Sequence, residues 1–244
     1  MGTQHGTVTG VAAAGVDLSW RPLYLAGAVS ALVYVVLVVV PVTLLFVAPV
    51  PPTEGRAVLE YIAANKGVYL TELVSFVGLG VPALVVFTAV AVALKDMDKS
   101  MAAIGGLFGV ASETIALALG SSPQSLHGGL VVLSDAYATT ATEAHRESLV
   151  SAADALIAAT NAVSWAGILT AAAILILSLV MRQGIFGRAV AVIGVVTGVA
   201  GIASEAFRPM IGPTYMIYGL LLPTWFVLVG WRLFRLARQR IGTA

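Results

Sequence analysis

The sequence predicts an all-α polytopic membrane protein, a compact bundle of six transmembrane helices with both termini in the cytoplasm. Hydrophobic residues make up 59% of the 244 residues and charged residues only 10%, whereas soluble domains carry about 25% charged residues. The long apolar runs lack the two-residue alternation of outer-membrane strands, which favours helices over a barrel. The chain has no cysteine, so disulfides and cysteine-ligated metal centres are excluded.

Six apolar runs reach the length of about 20 residues that a helix needs to cross a bilayer. The first contains Pro41, which we expect to kink its helix, and the second contains Pro82. The fourth is longer than a bilayer requires, so its start should tilt or project beyond the hydrocarbon. The sixth contains Pro223, and its Trp225 and Trp231 are candidate anchors at the membrane surface. The six predicted spans cover residues 22–48, 68–94, 101–120, 150–181, 186–206 and 214–233.

The basic residues predict the orientation of the bundle. With six spans, both termini and the loops after the second and fourth spans share one side, which holds nine of the 13 Lys and Arg residues. Short loops rich in Lys and Arg stay in the cytoplasm, so both termini are predicted to be cytoplasmic. Residues 1–20 are expected to form a flexible N-terminal tail, residues 21–238 a single six-helix domain, and residues 239–244 a C-terminal tail.

Two long connections are predicted on the outer side of the membrane. The first continues into a short amphipathic helix with Val58, Tyr61 and Ile62 on one face. Such a helix could lie in the outer interface or cap the bundle. The second connection carries His127 and His145, which lack the short spacing of metal ligands. No metal site and no cofactor are therefore predicted.

Ionisable residues within the apolar runs are concentrated in the outer half of the predicted membrane. Glu113 lies about 18 Å along the third span, at 1.5 Å per residue, in a hydrocarbon core about 30 Å thick. Asp154, Asn161 and Trp165 fall at i, i+7 and i+11 and would share one face of the fourth span. The candidate ligand-binding or proton-exchanging residues of this outer half are Glu72, Glu113, Asp154, Asn161, Glu205, Arg208 and Tyr218.

The third and fifth spans share the local pattern Gly-x-x-Gly-x-Ala-Ser-Glu, at residues 106–113 and 198–205. Glycines at this spacing let helix backbones approach closely, so each glutamate is expected at the outer end of a tight helix contact. The same Gly-rich faces could instead support an oligomer. An ancient parallel repeat and a shared packing requirement are alternative origins of the pattern.

A carboxylate within a membrane is costly, so Glu113 requires a partner, water or a proton. The outer-side cation near Glu205 is Arg208, three residues further along the chain. One interpretation is a structural polar cluster. The leading functional hypothesis is an outward-facing polar pocket that binds, or helps to move, a small lipophilic or amphiphilic molecule.

Two other function classes stay open. An intramembrane lipid-modifying enzyme would use paired carboxylates, for which Glu113 and Glu205 are the candidates. A non-catalytic membrane subunit would need no pocket. The expected partners are membrane lipids and a small lipophilic ligand, and the formal net charge of +1 argues against nucleic acid.

Several stretches carry a resemblance to a known family. They are LYLAGAVSALVYVV at the first span, AAIGGLFGVASETIALAL at the third, and LILSLVMRQGIFGRAVAVIGVVTGVAGIASEAF followed by LLLPTWFVLVGWRLF at the last three. Over residues 20–238 the chain resembles a bacterial family of six-helix membrane proteins, the domain-of-unknown-function family numbered 4386. Gly184 and Gly187 stand where that family often has proline. The resemblance implies six spans and the bacterial inner membrane, and it implies no activity.

Overall fold

A computed structural model describes residues 16–121, 126–182, 184–211 and 215–239. Within these ranges the chain is almost entirely helical and contains no strand. A short 3₁₀ turn at Leu18–Trp20 precedes the α-helices. These are α1 (Arg21–Val47), α2 (Gly55–Gly78), α3 (Gly80–Leu94), α4 (Lys99–Leu119), α5 (Gly128–Thr139), α6 (Glu143–Asn161), α7 (Trp165–Met181), α8 (Arg188–Ala206), α9 (Arg208–Ile211) and α10 (Tyr215–Ala237).

Six helical stretches of the described chain are long and apolar enough to cross a membrane. The predicted number of spans is therefore confirmed, and the chain is a multi-pass membrane protein. Two of the stretches combine consecutive helices, α2 with α3 and α6 with α7. The stretches are Leu18–Leu44, Gly55–Leu94, Lys99–Leu119, Glu143–Met181, Arg188–Ala206 and Tyr215–Ala237.

The membrane helices form a closed ring in the order α1, α3, α4, α7, α8 and α10, with α10 returning to α1. Helix α3 also touches α7 and α10 across the middle of this ring. Phe87 of α3 meets Trp225 and Phe226 of α10 there, with ring centroids 6.1 and 6.0 Å apart. These aromatic contacts fill the centre of the bundle, so the ring encloses a packed core along this part of its length.

The expectation that Trp225 anchors the sixth span at the membrane surface is wrong. Trp225 is fully buried, and its indole N–H donates a 3.2 Å hydrogen bond to Ser178 Oγ of α7. A buried indole needs such an acceptor because its N–H would otherwise remain unsatisfied. Trp231, two turns further along α10, is 59% exposed and keeps the position expected of an anchor.

Helices α2, α5 and α6 pack on one another around a second apolar core. Val58, Leu59 and Ile62 contribute to it from α2, and Leu130 from α5. Helix α2 bends at Asn65, where φ and ψ are −128° and 34°. We call residues 55–65 together with α5 and α6 the cap. Of the two alternatives for the amphipathic helix, the structure supports the capping position.

The predicted fourth span is interrupted. Helix α6 ends at Asn161, and α7 begins at Trp165, with the Ser164 hydroxyl accepting the Gly167 N–H at 3.1 Å. Asp154 and Asn161 both lie on α6, but the prediction that Trp165 shares their face is wrong, because the helical rotation stops between α6 and α7. Asp154 instead accepts the Gly55 N–H at 2.6 Å, which ties α6 to the start of α2.

Proline marks one of the other helix junctions. Pro82 lies just after Leu79, where α2 ends and α3 begins, and proline cannot donate the backbone hydrogen bond that would continue the helix. The second span is thus divided at Leu79, whose own backbone stays helical, with φ and ψ of −55° and −32°. Pro41 and Pro223 lie inside α1 and α10.

The start of the described chain is folded against the bundle. Asp17 accepts the Ser19 N–H at 3.0 Å and pairs with Lys95 Nζ at 2.7 Å. The Lys95 ammonium, with the Ser19 hydrogen bonds, holds the pKa of Asp17 well below its usual range. Residues 1–15 of the predicted N-terminal tail and 240–244 of the C-terminal tail lie outside the described residues.

The Gly-rich faces of α4 and α8 pack within the same chain: Gly106 and Gly109 of α4 face α3, whereas Gly105 of α4 and Gly198 of α8 face α7. A Cβ on Gly105 would lie 2.7 Å from Leu177 Cγ, and one on Gly198 would lie 2.8 Å from the Ala171 carbonyl oxygen. Contacts this short leave no room for a side chain. The tight helix contact expected at each glutamate pattern is therefore confirmed, and these glycine faces are covered by α3 and α7 within the chain.

We expect Gly198→Ala to destabilise the bundle by about 1–3 kcal/mol, the usual cost of overpacking. The added methyl would press on the backbone of α7, which cannot move aside as a side chain can. Gly219→Ala is the matched control, because a Cβ on Gly219 of α10 would meet nothing within 4 Å. Thermal unfolding in detergent measures both, and equal unfolding temperatures for the two variants would contradict the packing.

Candidate functional site

Two buried carboxyls approach the start of α7 from two sides. Glu113 comes from α4 and reaches Thr170, and Glu205 comes from α8 and packs on Gly167. Thr170 and Gly167 are three residues apart, one turn of the helix. The two copies of the Gly-x-x-Gly-x-Ala-Ser-Glu pattern therefore deliver their glutamates to the same part of α7.

Glu113 is 8% exposed and is held by hydroxyl groups. Thr170 Oγ1 donates to its Oε1 at 3.2 Å, and Ser112 Oγ donates to the same oxygen at 3.3 Å. The two hydroxyl oxygens are also in contact with each other, so one of them shares its proton between the other hydroxyl and the carboxyl. Among the described residues, no Lys, Arg or His lies within ion-pair distance of Glu113.

Glu205 is 2% exposed and belongs to a charged cluster. Arg208 NH2 bonds its Oε2 at 2.5 Å, and the Tyr215 hydroxyl donates to its Oε1 at 2.7 Å. Arg208 NH1 also donates to the Thr160 carbonyl oxygen at 3.1 Å, at the end of α6. The cluster thereby links α8, α9, α10 and the cap.

Gly167 allows Glu205 to occupy this position. A Cβ on Gly167 would lie 2.3 Å from Glu205 Cδ, so any larger residue would displace the carboxyl from α7. The corresponding space beside Glu113 is taken by the Thr170 side chain, which meets the carboxyl as a hydrogen-bond donor. The same helix therefore offers bare backbone to one carboxyl and a hydroxyl to the other.

A cavity of about 300 Å³ lies beside these groups. Its walls come from the end of α4, the end of α6, the non-helical link to α7, the start of α7, and the end of α8. Thr170, Glu205 and Arg208 provide side chains on its polar side. Apolar wall residues are Ile115, Ala116, Leu119, Ala159, Ala162, Val163, Trp165 and Ala166.

The candidate residues named from the sequence are distributed unevenly around this cavity. Glu205 and Arg208 line it, and Glu113 lies behind Thr170. Tyr218 is 3% exposed and packs on Gly201, with its ring edge-to-face against Tyr215 at a 6.0 Å centroid distance. Tyr218 therefore lies next to the Glu205 cluster, to which Tyr215 belongs.

The other three candidates lie apart from the cavity wall. Glu72 is 4% exposed on α2 and makes no hydrogen bond or ion pair within the described residues. Asp154 is exposed on the cap and bonds the start of α2. Asn161 ends α6, between the wall residues Thr160 and Ala162.

Four residues of the site were not among the sequence candidates: Ser112, Thr170, Gly167 and Tyr215. Ser112 and Thr170 are hydroxyl residues in apolar helices, and a search for donors near each glutamate could have found Ser112 from the sequence alone. Thr170 and Gly167 could not be found this way, because their role depends on how α7 packs between α4 and α8.

The described part of the chain holds no group of three His, Cys, Asp or Glu side chains able to bind a metal ion. Comparison with known proteins found no matching family model, and no curated protein or solved structure is significantly similar to this chain. The residues around the cavity are therefore the basis on which a function can be proposed.

We expect Glu205→Gln and Arg208→Gln each to cost about 3–5 kcal/mol of stability, because either change leaves one buried charge uncompensated. The double variant should cost less than the sum of the two single variants. A double-mutant cycle of unfolding free energies tests this, with Lys66 and Asp135 as the control pair. That pair is 45% and 60% exposed and should couple by less than about 1 kcal/mol. Additive costs at Glu205 and Arg208 would show that they do not interact.

Proposed function

We propose that the protein binds a small lipophilic or amphiphilic molecule in the cavity between α4, α6, α7 and α8. The observation that carries this proposal is a cavity of about 300 Å³ lined by a buried ion pair, several hydroxyl-bearing residues and a majority of apolar side chains. Its volume lies at the lower end of the range of small-molecule sites, which are typically mostly apolar with a few fixed polar groups.

Each polar residue has a part in this proposal. The Arg208 guanidinium compensates the charge of Glu205 and so holds that carboxyl in the cavity lining. Glu113 is the polar anchor that orients the Thr170 hydroxyl beside the cavity, and it is also the candidate proton-exchanging group because no cation faces it. Glu113 would act on the ligand through the Thr170 hydroxyl, and Glu205 would act as part of the cavity wall.

Binding is better supported than passage through the bundle. Within the described residues, no Asp, Glu, Lys, Arg or His side chain is buried at the end of the ring near Lys99 and Arg188, and the buried residues there that carry a hydroxyl are Tyr24, Ser178 and Thr197. A polar or charged head would meet a dry apolar barrier in this half. The ligand would therefore enter and leave the cavity on the same side of the membrane.

The membrane setting of the proposal follows from charge and composition. We place the protein in the bacterial inner membrane, with both termini and the basic loops at Lys95–Lys99 and Arg182–Arg188 in the cytoplasm. The cavity then faces the outer leaflet. Membrane lipids would be its immediate partners, and membership of the domain-of-unknown-function family numbered 4386 stays a prediction from the residues.

A lipid-modifying enzyme is the second candidate, favoured by the approach of two carboxyls to one stretch of α7. Their partners are unlike, hydroxyls for Glu113 and a guanidinium for Glu205. Acid–base pairs require such unlike surroundings. Under this alternative, Glu113→Gln would abolish conversion of added lipids while ligand binding persists, since the Gln carbonyl can still accept from Thr170.

We expect photoreactive amphiphiles to label the cavity in the intact protein. The probes are a medium-chain alcohol, carboxylate and ammonium, each with a diazirine on its tail, and mass spectrometry locates the label. Ala159→Trp should remove labelling by filling the cavity, because Ala159 is a wall residue. Ala158→Trp is the control, since Ala158 is also exposed on α6 but does not line the cavity. If none of the probes labels the wall, the binding proposal is wrong and a non-catalytic subunit is favoured.

A further inference from the structure

We infer that a groove between α1 and α10 binds an anionic phospholipid, with an acyl chain in the groove and the phosphate at Arg238. The groove has a volume of about 380 Å³ and shares no lining residue with the cavity between α4, α6, α7 and α8. The inference is therefore independent of the proposed function. It depends on the shape of the groove, on the arginines at one end of it, and on the absence of acidic residues from its two helices.

The groove is apolar and about as long as one leaflet is thick. On α1 its lining extends from Leu25 to Val35, about 15 Å at 1.5 Å per residue, in a hydrocarbon core about 30 Å thick. Small residues form its floor, where a Cβ on Gly230 of α10 would lie 2.5 Å from Ala31 Cβ of α1. Leu32, another lining residue, is 65% exposed, so the groove is open to lipid along its length.

Arg238 lies at one end of the groove. Its guanidinium carbon is 4.4 Å from the ring centre of Phe234, a lining residue. Its backbone N–H donates to the Phe234 carbonyl at 3.2 Å, so Arg238 continues the lining face of α10 by one helical turn. Phe234 in turn stacks on Trp231, which also lines the groove, with ring centroids 6.0 Å apart. The apolar lining therefore ends at a guanidinium, the side-chain group whose geometry best matches phosphate.

Arg21 adds positive charge at the same end. It lies four residues before Leu25, on the same face of α1. Helices α1 and α10 are antiparallel, since a Cβ on Gly27 would lie 2.9 Å from Leu233, so the start of α1 is beside the end of α10. Within the described residues the Arg21 guanidinium makes no hydrogen bond or ion pair, and its Nε is buried.

No acidic side chain of the two groove helices competes for these arginines. Helices α1 and α10 contain no Asp or Glu. The described acidic residues at this end belong to the turn between α3 and α4 or pair with it: Asp96 lies in the turn, Asp98 caps α4, and Asp17 pairs with Lys95. The head of an anionic lipid therefore supplies the counter-charge that the groove helices lack.

A second copy of the chain is a poorer occupant of the groove. In a symmetric dimer the same patch of each copy meets its counterpart. Such contact would bring the arginines at the ends of α1 and α10 of both copies together, and like charges repel. A zwitterionic lipid has chains that fit the groove equally well, but its head brings no net negative charge to Arg238.

The test uses the full-length protein in nanodiscs of phosphatidylcholine that contain a small share of photoreactive lipid. The probes are phosphatidylglycerol and phosphatidylcholine with the same diazirine-bearing chain, and mass spectrometry locates the label. Labelling of the groove at Leu25, Leu32 and Trp231 is divided by labelling at Leu107, which is 66% exposed on α4 outside the groove. We expect this ratio to be at least about fivefold higher for phosphatidylglycerol, because a basic residue at the surface of a membrane attracts anionic lipid.

Variants separate the site from the general charge of this end. Arg238→Gln should lower the phosphatidylglycerol ratio to near that of phosphatidylcholine. Arg188→Gln is the control, because it removes the same charge at the same end from α8, which contributes nothing to the groove lining. Val29→Trp should also lower the ratio by filling the groove. Its control is Val33→Trp, since Val33 is 44% exposed on the same helix but does not line the groove.

Three results would overturn the inference. The first is an equal ratio for the two lipids in the unmodified protein. The second is an equal loss in Arg238→Gln and Arg188→Gln, which would show that general charge is sufficient. The third is cross-linking of this groove to a second copy in place of lipid labelling. None of them affects the proposed function, which concerns other residues.

Discussion

The close approach of α4 and α8 to α7 is the constraint on which the rest of the site depends. It requires glycine where the backbones meet, at Gly105 on one side and Gly198 on the other. Glu113 follows Gly105 on α4, and Glu205 follows Gly198 on α8, so the packing that brings these helices onto α7 also brings both carboxyls to it. Loss of either contact would therefore move a carboxyl as well as a helix.

The interruption between α6 and α7 turns this packing into a cavity. A continuous helix would carry side chains through the space, whereas the end of α6 and the start of α7 leave a gap bordered by Thr160 and Ser164. Arg208 spans the gap by bonding Glu205 and the Thr160 carbonyl. One guanidinium thus compensates a buried carboxylate and a helix end whose carbonyl has no partner in its own helix.

Composition and basic residues were sufficient to predict the class and the number of spans, because long apolar runs have few other structural solutions. Patterns within one helix also predicted the glycine contacts. The failures concern relations between helices. Trp225 was expected at a surface and is buried against Ser178, and the shared face of Asp154 and Trp165 disappears at the helix break. Both outcomes depend on how helices pack or break, whereas the sequence directly displays only the periodicity of hydrophobic residues within one helix.

The two glutamate patterns are nearly the same in sequence and end in different chemistry. The difference lies in α7 and in the segment that follows each pattern. Glu205 meets the bare backbone of Gly167 and is followed by Arg208, so its charge is compensated. Glu113 meets Thr170, and the chain after it supplies no cation, so hydroxyls alone hold it. The same local motif therefore ends in a carboxyl compensated by a guanidinium at one copy and a carboxyl held by hydroxyl groups at the other.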